Sequence, residues 1–308
     1  MVDFVRLTDP KILRPEKSET FFEDSSWILE PKINGRRIQC LINSQNEISF
    51  AGRYAREGNE NISLFSWKFS RICGELKSLS LPKNTLFDGE IHLPGRPVSL
   101  TMQMINSDVD ESIRLQEQNG YLHYVIFDIL AYNGESLLDK PLFHRRSKLV
   151  KTVKQSLFNV KLIKQFESTN EKRKEWNKIL ESDNEEKGVV FKFQESEYEC
   201  NRSKWWRKLK KTESYDGVIL DYKLHNKYPE EFIASIEVGQ YRRGRLTKVA
   251  SIGGLTQEEA ADFRSKIEFY KGKVIQFRSE SKTSSSYKTP RFDRIRNDKK
   301  PQDCIWEE

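Results

Sequence analysis

The sequence has 308 residues, a length that suits about two domains, and 53 Lys and Arg against 46 Asp and Glu leave a net charge of +7. Its 18 Phe, 11 Tyr and 6 Trp exclude a disordered chain. The most apolar stretch, 124–132, is short and carries Asp128, which excludes a membrane-spanning helix.

In chain order, residues 27–51 alternate as two or more strands, with turns at Asn34-Gly35 and around 43–46. Helical spacing runs through 62–80, by way of Leu64, Phe65, Phe69, Ile72 and Leu76. A strand, LFDGEIHL, follows Pro82, and 99–118 is expected to be helical. YLHYVIFDILAY then has the continuous apolar run of a buried strand. RRSKLVKTVKQSL and EKRKEWNKILES are expected as helices, and GVVFKF and WWRKLKK as strands. From KTESYDGVILDY onward the pattern turns to short β runs. The one helix there is expected over 256–271, where Thr256 and Glu259 have the spacing of a capping box. The expected architecture is a mixed α+β domain over 1–211 and a small all-β domain with one helix, consistent with an OB-fold, over 212–308.

The N-terminus lacks the charged-then-apolar plan of a signal peptide. Cys40, Cys73, Cys200 and Cys304 form no CxxC pair, which argues against a disulfide framework or a zinc knuckle. A reducing, intracellular setting (cytoplasm or nucleoid) is expected.

Charge is clustered. Residues 201–211 carry six cations and no acid, 282–300 carry seven against two Asp, and YRRGR at 241–245 is a third knot. One such cluster is usually a solvated face. Three, interleaved with Trp, Tyr and Phe, favour a polyanion partner.

Lys32-Ile33-Asn34-Gly35-Arg36-Arg37 directly follows the strand WILEP. A lysine beside two arginines has its amine pKa lowered, and the neutral amine is the attacking form. Alone, the string reads better as a hairpin turn with exposed cations. It does not stand alone. Glu30 precedes it by two residues, and Gly52-Arg53, FDGE (87–90), FDIL (127–130), GVVFK (188–192), WRKLK (206–210) and PRFDRIRNDK (290–299) follow in order.

This series resembles the nucleotidyltransferase motifs of ATP-dependent DNA ligases and spans nearly the whole chain. The resemblance implies an adenylation (nucleotidyltransferase) domain followed by an OB-fold, using ATP and Mg2+ or Mn2+ to seal nicked duplex DNA as a monomer. It implies Lys32 as the nucleophile that becomes AMP-linked, Glu30 on the adenine amino group and Phe127 on the adenine ring. It further implies Glu90 on the ribose hydroxyl or a metal, Arg37 and Arg53 on sugar-phosphate groups, and Lys192, Lys208 and Lys210 on the α-phosphate. Arg296, Asp298 and Lys299 would orient the departing pyrophosphate.

Two positions depart from the pattern. Asn34 stands where the family usually has Asp, keeping the size and one acceptor of that nucleotide-site position. Lys187 stands where a metal-binding Glu normally precedes the glycine of GVVFK. Either Glu186 recovers that role through a bulge, or metal binding rests on Glu90 and water. An mRNA-capping guanylyltransferase, an RNA ligase, or a non-catalytic OB protein with a decayed transferase domain are the competing readings. An NAD-dependent ligase would need a four-cysteine zinc module. About 30 residues precede Lys32, so DNA grip is expected from the two core domains. A viral origin or a compact bacterial accessory ligase would suit that plan.

Overall fold

The computed structural model describes residues 2–52, 64–153, 157–182 and 188–307. The chain divides into two compact units, Met1–Lys210 and Lys211–Glu308. Among the described residues no helix is long and apolar enough to cross a membrane, and the four cysteines are free thiols.

The first unit runs β1 (Asp9–Ile12), α1 (Glu19–Glu23), β2 (Trp27–Pro31), β3 (Arg36–Ile42), β4 (Ile48–Gly52), α2 (Leu64–Lys68), α3 (Ser70–Ser78) and β5 (Thr85–His92). It continues with α4 (Val98–Asn106), α5 (Val109–Asn119), β6 (His123–Tyr132), β7 (Glu135–Ser136), α6 (Leu142–Thr152), β8 (Val160–Leu162), α7 (Thr169–Glu181), β9 (Gly188–Phe193) and β10 (Arg202–Lys210). These strands make two sheets. One has the order β1-β10-β9-β2; the other is β4-β3-β5-β6-β7, with β8 beside β6.

Three apolar clusters hold this unit. Phe50, Phe69, Phe87, Tyr124 and Leu149 pack the helices on one face of the larger sheet. Leu41, Leu86, Leu130 and Trp206 join the two sheets. Leu29, Ile179, Val189 and Phe191 seat α1 and α7 on the smaller sheet. Phe87 is wholly buried, so truncating it to Ala costs about 3–5 kcal/mol.

Several local expectations are corrected. The helix expected over 62–80 breaks at Phe69, which puts that ring edge-on to Phe50 at 5.1 Å; residues 62 and 63 lie outside the described residues. The helix expected over 99–118 is two helices, because the Asp108 carboxylate accepts from Glu111 N–H at 2.8 Å and starts a new one. The Asn34-Gly35 turn is not a hairpin: β2 belongs to the smaller sheet and β3 to the larger, so 32–35 is a crossover. Gly35 is required there, since a Cβ would lie 2.1 Å from the Ile91 carbonyl oxygen. The N-terminal strand β1 was not expected; it is four residues long, contains Pro10 and lies parallel to β10.

The second unit contains β11 (Glu213–Leu224), β12 (Ile233–Arg242), β13 (Arg245–Ile252), α8 (Gln257–Ser265), α9 (Ile267–Tyr270), β14 (Val274–Ser279), β15 (Ser281–Lys282), β16 (Tyr287–Lys288) and β17 (Arg291–Ile295). Its five-stranded sheet has the order β13-β12-β11-β14-β17. Phe292 N–H donates to the Gly253 carbonyl at 2.9 Å, joining the two outer strands and closing the sheet into a barrel. Ile236, Val238, Ile252, Phe263 and Phe277 fill it. The capping box at Thr256 and Glu259 is present, but the single expected helix is two. It breaks at Lys266, where Tyr270 folds back to donate to Asp262 at 2.6 Å.

Candidate active site

The crossover after β2 and strands β3, β5, β9 and β10 deliver the charged residues to one place in the first unit. The crossover after β2 carries Lys32, whose N–H donates to the Gly188 carbonyl at 2.9 Å. Gly188 cannot be another residue without rearrangement, because a Cβ there would meet the Leu209 carbonyl oxygen at 2.2 Å. The start of β3 brings Arg37 directly opposite Glu90 of β5. Strands β9 and β10 contribute Lys192, Trp206 and Lys208, with Trp206 opposite Lys192 in the ladder.

These residues surround a cavity of about 250 Å³. Lys32, Glu30, Arg37, Glu90, Phe127, Lys192 and Lys208 all line it, so seven of the residues singled out in the sequence meet in one space. Asn34 and Lys210 are not among its lining residues. Lys210 ends β10, opposite Gly188. Arg53 and Glu186, like Lys187, lie outside the described residues. Arg296, Asp298 and Lys299 belong to the second unit.

Glu30 is 3% exposed. Its Oε2 lies 2.7 Å from Lys192 Nζ, a close ion pair without an aligned hydrogen bond, and its Oε1 accepts from Gln165 Nε2 at 2.7 Å. The Lys192 ammonium also sits over the rings of Trp206 (3.8 Å) and Phe127 (4.6 Å). Burial pulls its pKa below the ordinary lysine value, with the Glu30 and Asp128 carboxylates opposing. Phe127 therefore forms one wall of the cavity with its face toward cations, a geometry favoured by the ring quadrupole.

Arg37 is clamped. Its Nε and Nη2 donate to the two oxygens of Asp88 at 3.0 and 2.6 Å, and its Nη1 donates to the Thr8 carbonyl at 2.5 Å. Tyr198 closes the arrangement by donating to Asp88 at 2.7 Å and accepting from Arg37 Nη2 at 3.1 Å. Burial alone would lower the arginine pKa, but the Asp88 carboxylate more than offsets it, and the guanidinium is held charged. Asp88 stands inside a motif string, yet its part as the holder of Arg37 was not read from the sequence; Tyr198 and Gln165 carried no local signal at all. Asp9, which lines the cavity and approaches Lys208 at 3.4 Å, was likewise missed.

Glu90 has the opposite balance. Burial pushes its carboxyl up to about 7, while Lys32, Arg37 and a hydrogen bond from the Gly35 backbone pull it down. Among the described residues no three His, Cys, Asp or Glu gather as a metal cluster. A divalent ion held here would rest on Glu90, phosphate oxygens and water, which is how Mg2+ is usually bound at nucleotide sites.

In the second unit the C-terminal trio is internally paired. Arg296 donates through Nε and Nη2 to both oxygens of Asp298 at 2.8 Å, and through Nη1 to Asp216 at 3.2 Å. Lys299 donates to the other Asp216 oxygen at 2.6 Å.

Comparison with known proteins agrees with this reading of fold and family. Curated relatives include a DNA ligase of Thermococcus fumicolans, 26% identical across 89% of this chain and 52% of that protein. Another is the SPbeta prophage-derived DNA ligase-like protein LigB of Bacillus subtilis (strain 168), 27% identical across 65% of this chain and 67% of that protein. The chain thus spans about half the length of the first of these. Among solved structures, a Lig E DNA ligase from a study of DNA binding with a minimal scaffold superposes with a TM-score of 0.60 at 14% identity, covering 96% of this chain and 100% of that one. The ligase domain of M. tuberculosis LigD superposes at 0.51 and 17% identity, with 98% and 97% covered. The fold is therefore a nucleotidyltransferase domain followed by an OB domain. Residues 13–210 match the family described as ATP dependent DNA ligase domain, and the chain belongs to that family.

Proposed function

We propose that this chain is an ATP-dependent DNA ligase that seals nicks in duplex DNA through a covalent lysyl-AMP. The observation that carries the reading is the single cavity lined by Lys32, Glu30, Glu90, Arg37, Phe127, Lys192 and Lys208. The reading takes the transferase domain as 1–211 and the OB domain as 212–308, and the working form as a monomer.

In the first step the Lys32 amine attacks the α-phosphorus of ATP; an N–P bond forms, the bond to the bridging oxygen breaks, and pyrophosphate leaves. AMP then passes to the 5′-phosphate of the nick, and the adjacent 3′-hydroxyl displaces it. Such transfers depend chiefly on positioning and charge neutralisation. Phe127 stacks on the adenine, Glu30 accepts from its amino group, and Arg37 and Arg53 hold sugar and phosphate. Lys192 and Lys208, with Lys210, offset the charge at the α-phosphate. A bound Mg2+ or Mn2+ would supply further neutralisation, held by Glu90, with Glu186 as the candidate second carboxylate. Arg296, Asp298 and Lys299 orient pyrophosphate. DNA contacts would be mostly to phosphates, so affinity should fall steeply with salt.

The test supplies α-labelled ATP, GTP and NAD in turn, then a 5′-phosphorylated nick in all-DNA or all-RNA duplex. Labelling by ATP and joining of DNA are expected. Transfer only from GTP, or joining of RNA but not DNA, would contradict the proposal.

A further inference from the structure

Asp216 lies outside every motif that marks the nucleotide chemistry, yet it touches two of the three C-terminal residues assigned to pyrophosphate. One carboxylate oxygen accepts from Arg296 Nη1 at 3.2 Å and the other from Lys299 Nζ at 2.6 Å. Its side chain is 12% exposed. Asp298, the second acid on Arg296, is 70% exposed and only two residues away along the chain. Asp216 is therefore the long-range anchor of the group, reaching it from the first rungs of β11, opposite Gln276 of β14.

That rung is braced on its other side. Gln240 Nε2 donates to the Asp216 carbonyl at 2.7 Å, and Gln240 Oε1 accepts from the Tyr287 hydroxyl at 2.9 Å. Tyr287 is itself buried in the barrel core. The carboxylate is thus tied through β11 and β12 to the least deformable part of the unit, while Arg296, whose N–H still donates to the Val274 carbonyl at 2.8 Å, and Lys299 follow the end of β17.

We propose that Asp216 is a positioning residue for the reaction with ATP: it fixes Arg296 and Lys299 side by side so that both reach the same polyphosphate. This rests on the proposed ligase function. Arg and Lys carry the largest rotamer freedom of any side chains, and a ligand that must order both loses affinity accordingly. Asp216 orders them in advance. Its negative charge also offsets one positive charge's worth of the pair's field, but at a partly solvated site that opposing effect is weakened by the high dielectric. Ordering prevails.

The experiment compares wild type with Asp216→Asn in two reactions: formation of the protein–AMP adduct across an ATP series, and sealing of a nick supplied already adenylated. Asp216→Asn is expected to raise the KM for ATP in adduct formation between about tenfold and 10²-fold, the scale of a misplaced binding group, and to leave sealing unchanged. Asp216→Glu, which keeps the charge, should recover part of the loss, and thermal melting reports whether each variant is folded. Wild-type ATP kinetics in Asp216→Asn, a lower KM for ATP, or equal losses in both reactions would overturn the proposal. If Asp216→Asn does not fold, Asp216→Glu decides: a loss confined to the ATP reaction supports the role, and none or an equal loss in both overturns it. Failure of wild type to form any adduct with ATP would instead defeat the proposed function.

Discussion

In Met1–Lys210 two of the cations lining the cavity are each matched with a buried acid. Lys192 faces Glu30, Arg37 is gripped by Asp88, and outside the cavity Arg145 is paired with Asp128 at zero exposure. In Lys211–Glu308 a single carboxylate, Asp216, serves two cations, and Arg296's other acid, Asp298, is largely in water. The contrast has a physical meaning. A buried pair cannot lose one partner without stranding a charge in a medium of low dielectric, so the first unit holds a fixed geometry, as the proposed chemistry on AMP would require. An acid that lies largely in water, as Asp298 does, gives up its cation cheaply, which would suit a residue proposed to engage a departing group in one step only.

The contrast can be broken most forcefully at Asp88. Asp88→Ala leaves Arg37 without its bidentate partner and should cost about 3–5 kcal/mol of stability, read as the denaturant midpoint of the first transition. A loss no larger than that of Asp298→Ala would erase the distinction drawn between the two units.

Glu90 sharpens it through pH. The folded protein retains a proton on Glu90 up to about pH 7, whereas an unfolded carboxyl releases it near 4.5. Stability from this group therefore falls as pH rises between those values and stays level above. Glu90→Gln has no proton to lose and should gain about 3 kcal/mol over wild type above pH 7, with no gain near pH 4. His92 and His123, whose pKa values burial lowers to about 4, act in the opposite sense, losing stability as pH falls below 6.5. They are common to both proteins and cancel in the difference. A wild-type minus Glu90→Gln difference that does not change with pH would show that Glu90 is not held protonated.

Arg296→Ala should slow adduct formation with ATP about 10²-fold, the scale of one lost charge-stabilising donor, while a pre-adenylated nick is sealed at the wild-type rate. Equal losses would mean the C-terminal cations serve every step. The smallest effect is expected at Asp298: its carboxylate lies in water, so Asp298→Ala should leave the melting temperature unchanged within error. A clear fall in melting temperature would show that the network is structural.

Much of the cavity was legible because its residues sit in short strings tied to strand ends: Lys32 after β2, Glu90 in FDGE, Phe127 in FDIL, and Lys192 and Lys208 in β9 and β10. What was not legible depends on distance along the chain. Tyr198 reaches Asp88 across 110 residues, and Gln165 reaches Glu30 across 135; no local pattern announces either. Helix breaks at Phe69 and Lys266 were missed for a related reason. Apolar spacing continues through both, and it is the burial of Phe69 against Phe50 and the turn of Tyr270 onto Asp262 that interrupt the helices. The crossover at Lys32 reads as a hairpin in sequence because an Asn-Gly pair favours one, and only the separation of β2 and β3 into two sheets shows otherwise.

The central claim is that Lys32 is the residue that takes up AMP. Wild type and Lys32→Ala are incubated with α-labelled ATP and Mg2+, digested, and the modified peptide is sequenced by mass spectrometry. The account predicts AMP on Lys32 in wild type and no adduct in a folded Lys32→Ala protein. An adduct on any other residue, or one that survives the substitution, would contradict it.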